Sequence, residues 1–283
     1  MAEKQAGKSK SSSKPDIATL GGLVLAIGGI AAGLIMEGGK VQDVAQVTSA
    51  MIVLGGTIGA VMITTPLSVL IRAAKQLGSV FMPKSDSISE KVDEIIDFAA
   101  KARKNGIVSL ESDASGIEDP FLRKALNLAV DGIEPAKIRD IMELEIALFE
   151  QNAEAEAKVF EAAGGYAPTI GIIGAVLGLI QVMKNLANID EVGRGIAVAF
   201  VATIYGVASA NIFFLPAASK LKARAQEAVR TRELMLEGIL GIAEGINHKL
   251  IRIKLEAYLE KSPQSKKAQK NQAPAGEPAA AEG

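Results

Sequence analysis

The chain has no cysteine, no tryptophan and a single histidine, His248. Without thiols there is no disulfide, no thiolate metal site and no cysteine nucleophile, and one imidazole cannot build a His-based metal cluster within one chain. Excess positive charge is missing too. Lys and Arg number 31 against 32 Asp and Glu, a net charge of −1, which argues against nucleic acid as a partner, because phosphates select a basic patch or stripe. The most informative absence is local. Four long apolar stretches, Ile17–Met36, Val47–Ile71, Tyr166–Met183 and Ile196–Leu215, contain no Asp, Glu, Lys, Arg or His. A mean hydropathy of +0.26 is high for a chain that is 22% charged. The two values fit together only if charged and apolar residues occupy different stretches.

Each apolar stretch approaches the roughly 20 residues needed to cross a bilayer core. The third is the shortest and carries Pro168 near its start, so a buried soluble helix is its plainer alternative. The first does not read as a cleavable signal. Its run exceeds the usual apolar region, and Glu37-Gly38-Gly39-Lys40 follows where a small-residue cleavage site would be expected. Basic residues near the span ends give the orientation. Lys4, Lys8, Lys10 and Lys14 precede the first span, Arg72, Lys75 and Lys84 follow the second, and Lys220, Lys222, Arg224, Arg230 and Arg232 follow the fourth. The loop 37–46 has only Lys40, and the loop 184–195 has Lys184 and Arg194. Both termini and the long segment 72–165 are therefore expected on the cytoplasmic side.

The polar segments read as helical. Val92, Ile95, Ile96, Ala99 and Ala100 form an apolar stripe within 88–104, Asp119-Pro120 is a helix start, and Glu134-Pro135 starts another. After the fourth span, 217–261 continues as a rod, with an interruption expected near Gly238–Gly245. The expected fold is an all-α integral membrane protein with four transmembrane helices and a helical cytoplasmic domain inserted between spans two and three. Its parts are a cytoplasmic N-terminal segment 1–16, spans one and two in 17–71, the cytoplasmic domain 72–165, spans three and four in 166–216, C-terminal helices 217–261, and a disordered tail 262–283 rich in Pro, Ala, Gln, Lys and Glu.

Small residues recur at four-residue spacing in the spans, as Gly29/Gly33, Gly55/Gly59, Gly174/Gly178 and Gly206/Ala210. Such pairs let helix backbones approach closely in lipid, either within one chain or against other subunits. Thr169, Thr203, Tyr205, Ser209 and Asn211 cluster in the last two spans, which Pro168 and Pro216 bracket. Proline frees a carbonyl from the helix ladder, and such carbonyls are tolerated where protein or water lines them. Spans three and four are therefore the pore-lining candidates, and the first two are expected to face lipid. An ion carrier usually holds an ionisable group inside the membrane. Either this chain moves no ions, or a partner supplies the carboxylate. An enzyme is not expected: the sequence shows no nucleotide loop, metal constellation or nucleophile–base arrangement, and no cofactor is implied.

The stretch Tyr166-Ala167-Pro168-Thr169 through Gly178-Leu179 resembles the third-span motif of the MotA/PomA flagellar stator proteins. Ala199-Phe200-Val201-Ala202-Thr203-Ile204-Tyr205-Gly206, with Phe213-Phe214-Leu215-Pro216 after it, resembles their fourth span. Arg103 to Glu111, and then Val130-Asp131-Gly132, resemble their cytoplasmic motifs, and the likeness runs in order over roughly 15–260. It implies an inner-membrane stator subunit of the bacterial flagellum, forming a homo-oligomeric ring, a pentamer, around single-span MotB-like subunits that bind peptidoglycan. A partner aspartate would carry ions past spans three and four, and the ring would drive the rotor protein FliG. By resemblance, Pro168, Thr203 and Pro216 belong to the ion pathway, with Ala175, Ala202 and Tyr205 beside it, and Arg103 and Glu111 face the rotor.

Sodium-type relatives tend to carry hydroxyls at the positions of Ala175 and Ala202, so the alanines here point to proton coupling. Thr203 could instead bond back to its own helix, and Arg103 and Glu111 could be ordinary solvated charges. Lys101, Lys104, Glu118, Arg123 and Lys124 could share the rotor contact. His248 is expected on a helix surface. Of the alternatives, an ExbB/TolQ-like energiser of outer-membrane transport typically has one span ahead of its cytoplasmic segment, whereas two precede it here. A non-conducting membrane scaffold is permitted by the charge-free spans.

Overall fold

The computed structural model describes residues 16–81 and 88–260. Expectations for the extreme N-terminal segment and for the tail 262–283 lie outside them. Among the described residues all regular structure is helical. The principal helices are α1 (Ile17–Met36), α2 (Val47–Thr64), α3 (Leu67–Phe81), α4 (Ile88–Asn105), α5 (Pro120–Val130), α6 (Pro135–Lys184), α7 (Ile189–Ala243) and α8 (His248–Glu260). Four of these, α1, α2, α6 and α7, are long and apolar enough to cross a membrane.

Local chemistry sets the boundaries. Asp16 caps α1, its carboxylate accepting from the Ala18 and Thr19 amides at 3.1 and 3.3 Å. Asp119 caps α5 in the same way, with Pro120 at the first helical position, where a missing N–H costs nothing. The apolar run from Val47 to Ile71 is two helices rather than one. Pro66 has no N–H for the ladder and excludes Thr65 from the helical region, at φ −130° and ψ 132°. Gly238 and Gly241 do not interrupt α7. A Cβ on Gly238 would lie 2.5 Å from Ile95 Cγ2, and one on Gly241 would lie 2.9 Å from Ile251 Cγ1, so both glycines mark close packing inside a continuous helix. The chain turns only at Gly245, where φ is +70° and the Ile246 amide reaches back to the Gly241 carbonyl.

The chain divides into two units. The first takes residues up to Ser85 together with Glu150–Gln226. Within it, α2 offers one stripe, Ser49, Val53, Thr57 and Val61, all at most 4% exposed. Below these, Ala73 and Val80 of α3 pack with Ala157, Phe160 and Ala163 of α6 and with Ala217 and Leu221 of α7. By contrast α1 has no buried residue. It is held at its start, where Asp16 accepts from Lys220 Nζ at 2.7 Å and from Arg224 Nη2 at 3.2 Å. The Lys220 hydrogen bond holds the Asp16 carboxyl well below the usual carboxylate range, against the opposing effect of burial.

The second unit takes Asp86–Phe149 together with residues from Glu227 onward. The segment 72–165 is therefore not a domain by itself. Ile95, Leu110, Leu122, Leu126 and Met142 share one core with Leu234, Ile239, Leu240 and Leu255 from beyond the fourth span. Arg232 stacks its guanidinium 3.6 Å above the Phe149 ring centroid, a cation–π contact within the same unit.

Glu237, on α7, accepts from Arg139 at 2.8 Å and from Lys254, joining α6, α7 and α8. Burial pushes its carboxyl up, but the hydrogen bonds and charges of Lys254 and Arg139 outweigh that and leave it below its ordinary value. A depressed carboxylate contributes stability that is present above its unfolded pKa and is lost as pH falls through the folded one. We therefore expect Glu237→Gln to cost about 1–2 kcal/mol at neutral pH, since both cations are partly exposed. Thermal unfolding of wild type and variant should converge as pH drops through the carboxylate range. A constant difference across that range would show that the ion pair is not its source.

Candidate functional site

The apolar parts of α6 and α7 meet along a seam of small residues. Gly171, Gly174 and Gly178 on α6 face Gly195, Ala199, Ala202 and Gly206 on α7, and all seven are buried. A Cβ on Gly206 would lie 2.5 Å from the Ala167 carbonyl oxygen and 3.0 Å from Gly171 Cα. One on Gly178 would lie 2.8 Å from both the Ala199 nitrogen and the Gly195 oxygen. The backbones themselves are thus in contact, and the obstacle at each position is main chain that cannot rotate away. Gly29, Gly33, Gly55 and Gly59 have nothing within 4 Å of such a Cβ, so those pairs do no packing within this chain.

The seam decides where the candidate residues lie. Ala202 is fully buried, facing Gly174, and is sealed between the helices rather than opening onto a path. Ala175, Thr203 and Pro168 are half-buried, and Pro216 is exposed. Pro168 sits inside α6 without breaking it, leaving the Gly164 carbonyl without its usual donor. Ahead of Pro216 the ladder of α7 widens into a π-helical stretch, Ser209–Phe214. One extra residue in such a bulge rotates the following face by about 100°. Pro216 therefore does not share the face that simple helical counting from Thr203 assigns it.

Polar side chains in this region bond mostly to their own helix. Thr203 Oγ1 donates to the Ala199 carbonyl at 3.2 Å, Thr169 to Tyr166 at 2.8 Å, Ser209 to Gly206 at 3.2 Å, and Asn211 to Val207 at 2.9 Å. The back-bonding alternative for Thr203 is thus what the structure holds. A donating hydroxyl keeps its lone pairs, so Thr203 remains an acceptor for a protonated group or a water. Tyr205 has a different task. Its hydroxyl donates to the Val44 carbonyl at 2.6 Å and accepts from the Gln46 amide at 3.2 Å. Ser49 adds a bond to the Val198 carbonyl at 3.2 Å. Together they clasp α7 to the start of α2 across about 150 residues of sequence, a pairing no local pattern could reveal. Thr57 is fully buried on α2 with no partner for its hydroxyl among the described residues.

In the second unit Arg103 ends α4, and Glu111 opens the one-turn helix Glu111–Ala114 beyond Gly106. Both are exposed, and no ion pair engages either among the described residues. Several neighbours are already engaged. Lys101 pairs with Asp113, Lys124 with Glu145 at 2.6 Å, and Arg123 donates to the Ile117 carbonyl at 2.9 Å. Lys104 and Glu118 remain exposed. His248 opens α8 half-buried, its Nδ1 enclosed without a partner among the described residues, rather than lying open on a helix surface. Among the described residues there is no group of three or more His, Cys, Asp or Glu that could hold a metal ion.

Two family profiles match in succession: Motility protein A N-terminal over residues 20–106, and the MotA/TolQ/ExbB proton channel family over residues 113–234. Motility protein A of Bacillus subtilis (strain 168) is 35% identical over 263 residues, covering 93% of this chain and 97% of the relative. Chemotaxis protein PomA of Vibrio alginolyticus is 33% identical over 244 residues, covering 86% of this chain and 95% of the relative. Among solved structures, a chain of C. jejuni MotAB superimposes with a TM-score of 0.84 at 34% identity, over 88% of this chain and 98% of that one.

The seam makes a sharp comparison possible. Gly206→Ala should push α6 and α7 apart and cost about 1–3 kcal/mol as overpacking, whereas Gly29→Ala should be neutral for the fold of a single chain. Thermal unfolding of the purified variants in detergent would show it, and equal midpoints would remove the claim that Gly206 sets the helix separation.

Proposed function

We propose a mechanism from one premise: the chain belongs to the MotA/TolQ/ExbB proton channel family, in its motility protein A branch. It is a multi-pass inner-membrane subunit of a flagellar stator. With a MotB-like single-span partner it forms an oligomeric complex that conducts ions and turns their flow into torque on the rotor protein FliG. The observation that carries the mechanism is the absence of any Asp, Glu, Lys, Arg or His from the four apolar stretches. A stator of this kind must take its membrane carboxylate from the partner. Motility protein A as the nearer branch, rather than ExbB or TolQ, is supported by the N-terminal profile over 20–106 and by the two spans ahead of the insert.

The physical steps follow from charge in a low-dielectric medium. One charge crossing 100 mV releases about 2.3 kcal/mol. Burial raises a carboxyl pKa, so a partner aspartate can alternate between neutral and charged forms near neutral pH. Each form makes different contacts with the surrounding helices, and only such a difference can shift a conformational equilibrium. On this chain the contact group is Pro168, Ala175 and Thr203, with Thr203 Oγ1 as acceptor for the protonated carboxyl. Pro168 and the widened ladder before Pro216 leave carbonyls outside the ordinary ladder, where the helices can bend. Ala202 acts by keeping the seam closed, and Tyr205 by holding α7 to α2. The proposed cytoplasmic side comprises both termini, the insert and the C-terminal helices, with Arg103 and Glu111 meeting charges on FliG.

Proton coupling is the expected ion choice, because neither Ala175 nor Ala202 offers an oxygen to a dehydrated cation. In a strain lacking its own stators, this chain and its cognate partner should restore swimming in sodium-free medium as long as a proton gradient is maintained. Motility that appears only when sodium is added would overturn that assignment. Separately, Arg103→Glu should reduce swimming torque and be partly rescued by charge reversal on FliG, since rim charges steer association. Unchanged bead-rotation torque at every load would remove Arg103 from the rotor contact.

A further inference from the structure

Beside the spans of the first unit lies a cleft of about 330 Å³ between α1 and α7, closed on one side by Val80 of α3. Gly22 and Leu23 of α1 and Ile212 and Pro216 of α7 make apolar walls, and Lys220 stands at one end. The cleft exists because α1 buries none of its residues and is anchored at its start by Asp16. That anchor is electrically unbalanced. Among the described residues, Lys220 and Arg224 share the single Asp16 carboxylate, so these three groups carry 2 − 1 = +1. Arg72 and Lys222 nearby in the chain each have a carboxylate of their own, Glu156 and Glu161. Arg224 also donates to the Val80 carbonyl through Nη2, yet its Nη1 is buried with no acceptor among the described residues.

We propose that this cleft is a binding site for one anionic phospholipid of the inner leaflet, its acyl chain between α1 and α7 and its phosphate on Lys220 and Arg224. The proposal rests on the reading that α1 and α7 lie in the bilayer, with the Lys220 end toward the cytoplasm. The match is one of chemistry along the length of the cleft: apolar walls, then surplus positive charge at the level of the headgroups. Anionic lipids populate that leaflet, and basic side chains beside it gain from them. The lipid would complete the packing of the otherwise loosely held α1 and would lie against Pro216.

The test uses the complex with its single-span partner, purified in detergent and examined by native mass spectrometry. Dioleoylphosphatidylglycerol, dioleoylphosphatidylcholine and inorganic phosphate are titrated separately. Wild type should bind phosphatidylglycerol in preference to phosphatidylcholine, and phosphate alone should not compete. Lys220→Gln with Arg224→Gln should weaken phosphatidylglycerol roughly fivefold per charge removed. Because those changes also loosen the Asp16 anchor, Gly22→Leu is the deciding variant. A Cβ there meets nothing within 4 Å, so leucine fills the cleft and leaves every charge in place. It should abolish the lipid preference with the complex intact. Equal binding of the two lipids, competition by phosphate, or a preference that survives Gly22→Leu would each overturn the proposal. A Gly22→Leu variant that sheds subunits without any lipid dependence would show that protein covers the cleft, and would also overturn it. Lipid binding is read independently of motility, so failure here leaves the stator function standing, and the reverse holds too.

Discussion

The contact between the backbones of α6 and α7 is the constraint on which the membrane part depends. Lipid tails are as apolar as leucine, so helices in a bilayer gain little from hiding side chains and must associate through close packing. Glycine and alanine on both sides of the seam allow that approach, and bulky residues such as Ile172, Val176, Phe200 and Ile204 are left on the outer faces. A chain with these outward faces is built to be surrounded, by lipid on some sides and by other subunits on others.

The seam also governs polar chemistry. Once the helices touch, little more than an alanine methyl fits between them, and the hydroxyls of Thr169, Thr203 and Ser209 bond to carbonyls of their own helices. Tyr205 and Ser49 instead bond between α7 and the start of α2, away from the seam. The spans therefore offer acceptors and loosened carbonyls but no charge. That arrangement suits a helix pair that responds to a carboxylate delivered from outside, because the group that changes protonation is not its own.

Outside the spans the logic is that of an ordinary soluble core. The insert cannot bury Ile95, Leu122 and Met142 without Leu234, Ile239 and Leu255, so the second unit closes only after the whole membrane region has been made. Ion pairs then engage part of the surface charge. Lys101, Lys124, Arg139 and Lys254 are paired, while Arg103 and Glu111 stay open.

Composition and spacing were enough to settle the spans, the helical class, the Asp119-Pro120 start and the lack of a membrane carboxylate, because each is a property of residues near one another in sequence. The small residues at Gly174/Gly178 and Gly206 also announced close packing, though not which helix would receive them. Four features needed the tertiary structure. Ala202 belongs to the seam because of what Gly174 lacks, and Tyr205 finds its acceptor at Val44, 161 residues away. Gly238 is a packing position only because Ile95 and Leu255 fill the space beside it. The turn of face before Pro216 comes from a widened ladder that no helical period encodes. Sequence fixes what each segment can be, since burial and hydrogen-bond demands are local; which partner satisfies those demands is decided only when distant segments meet.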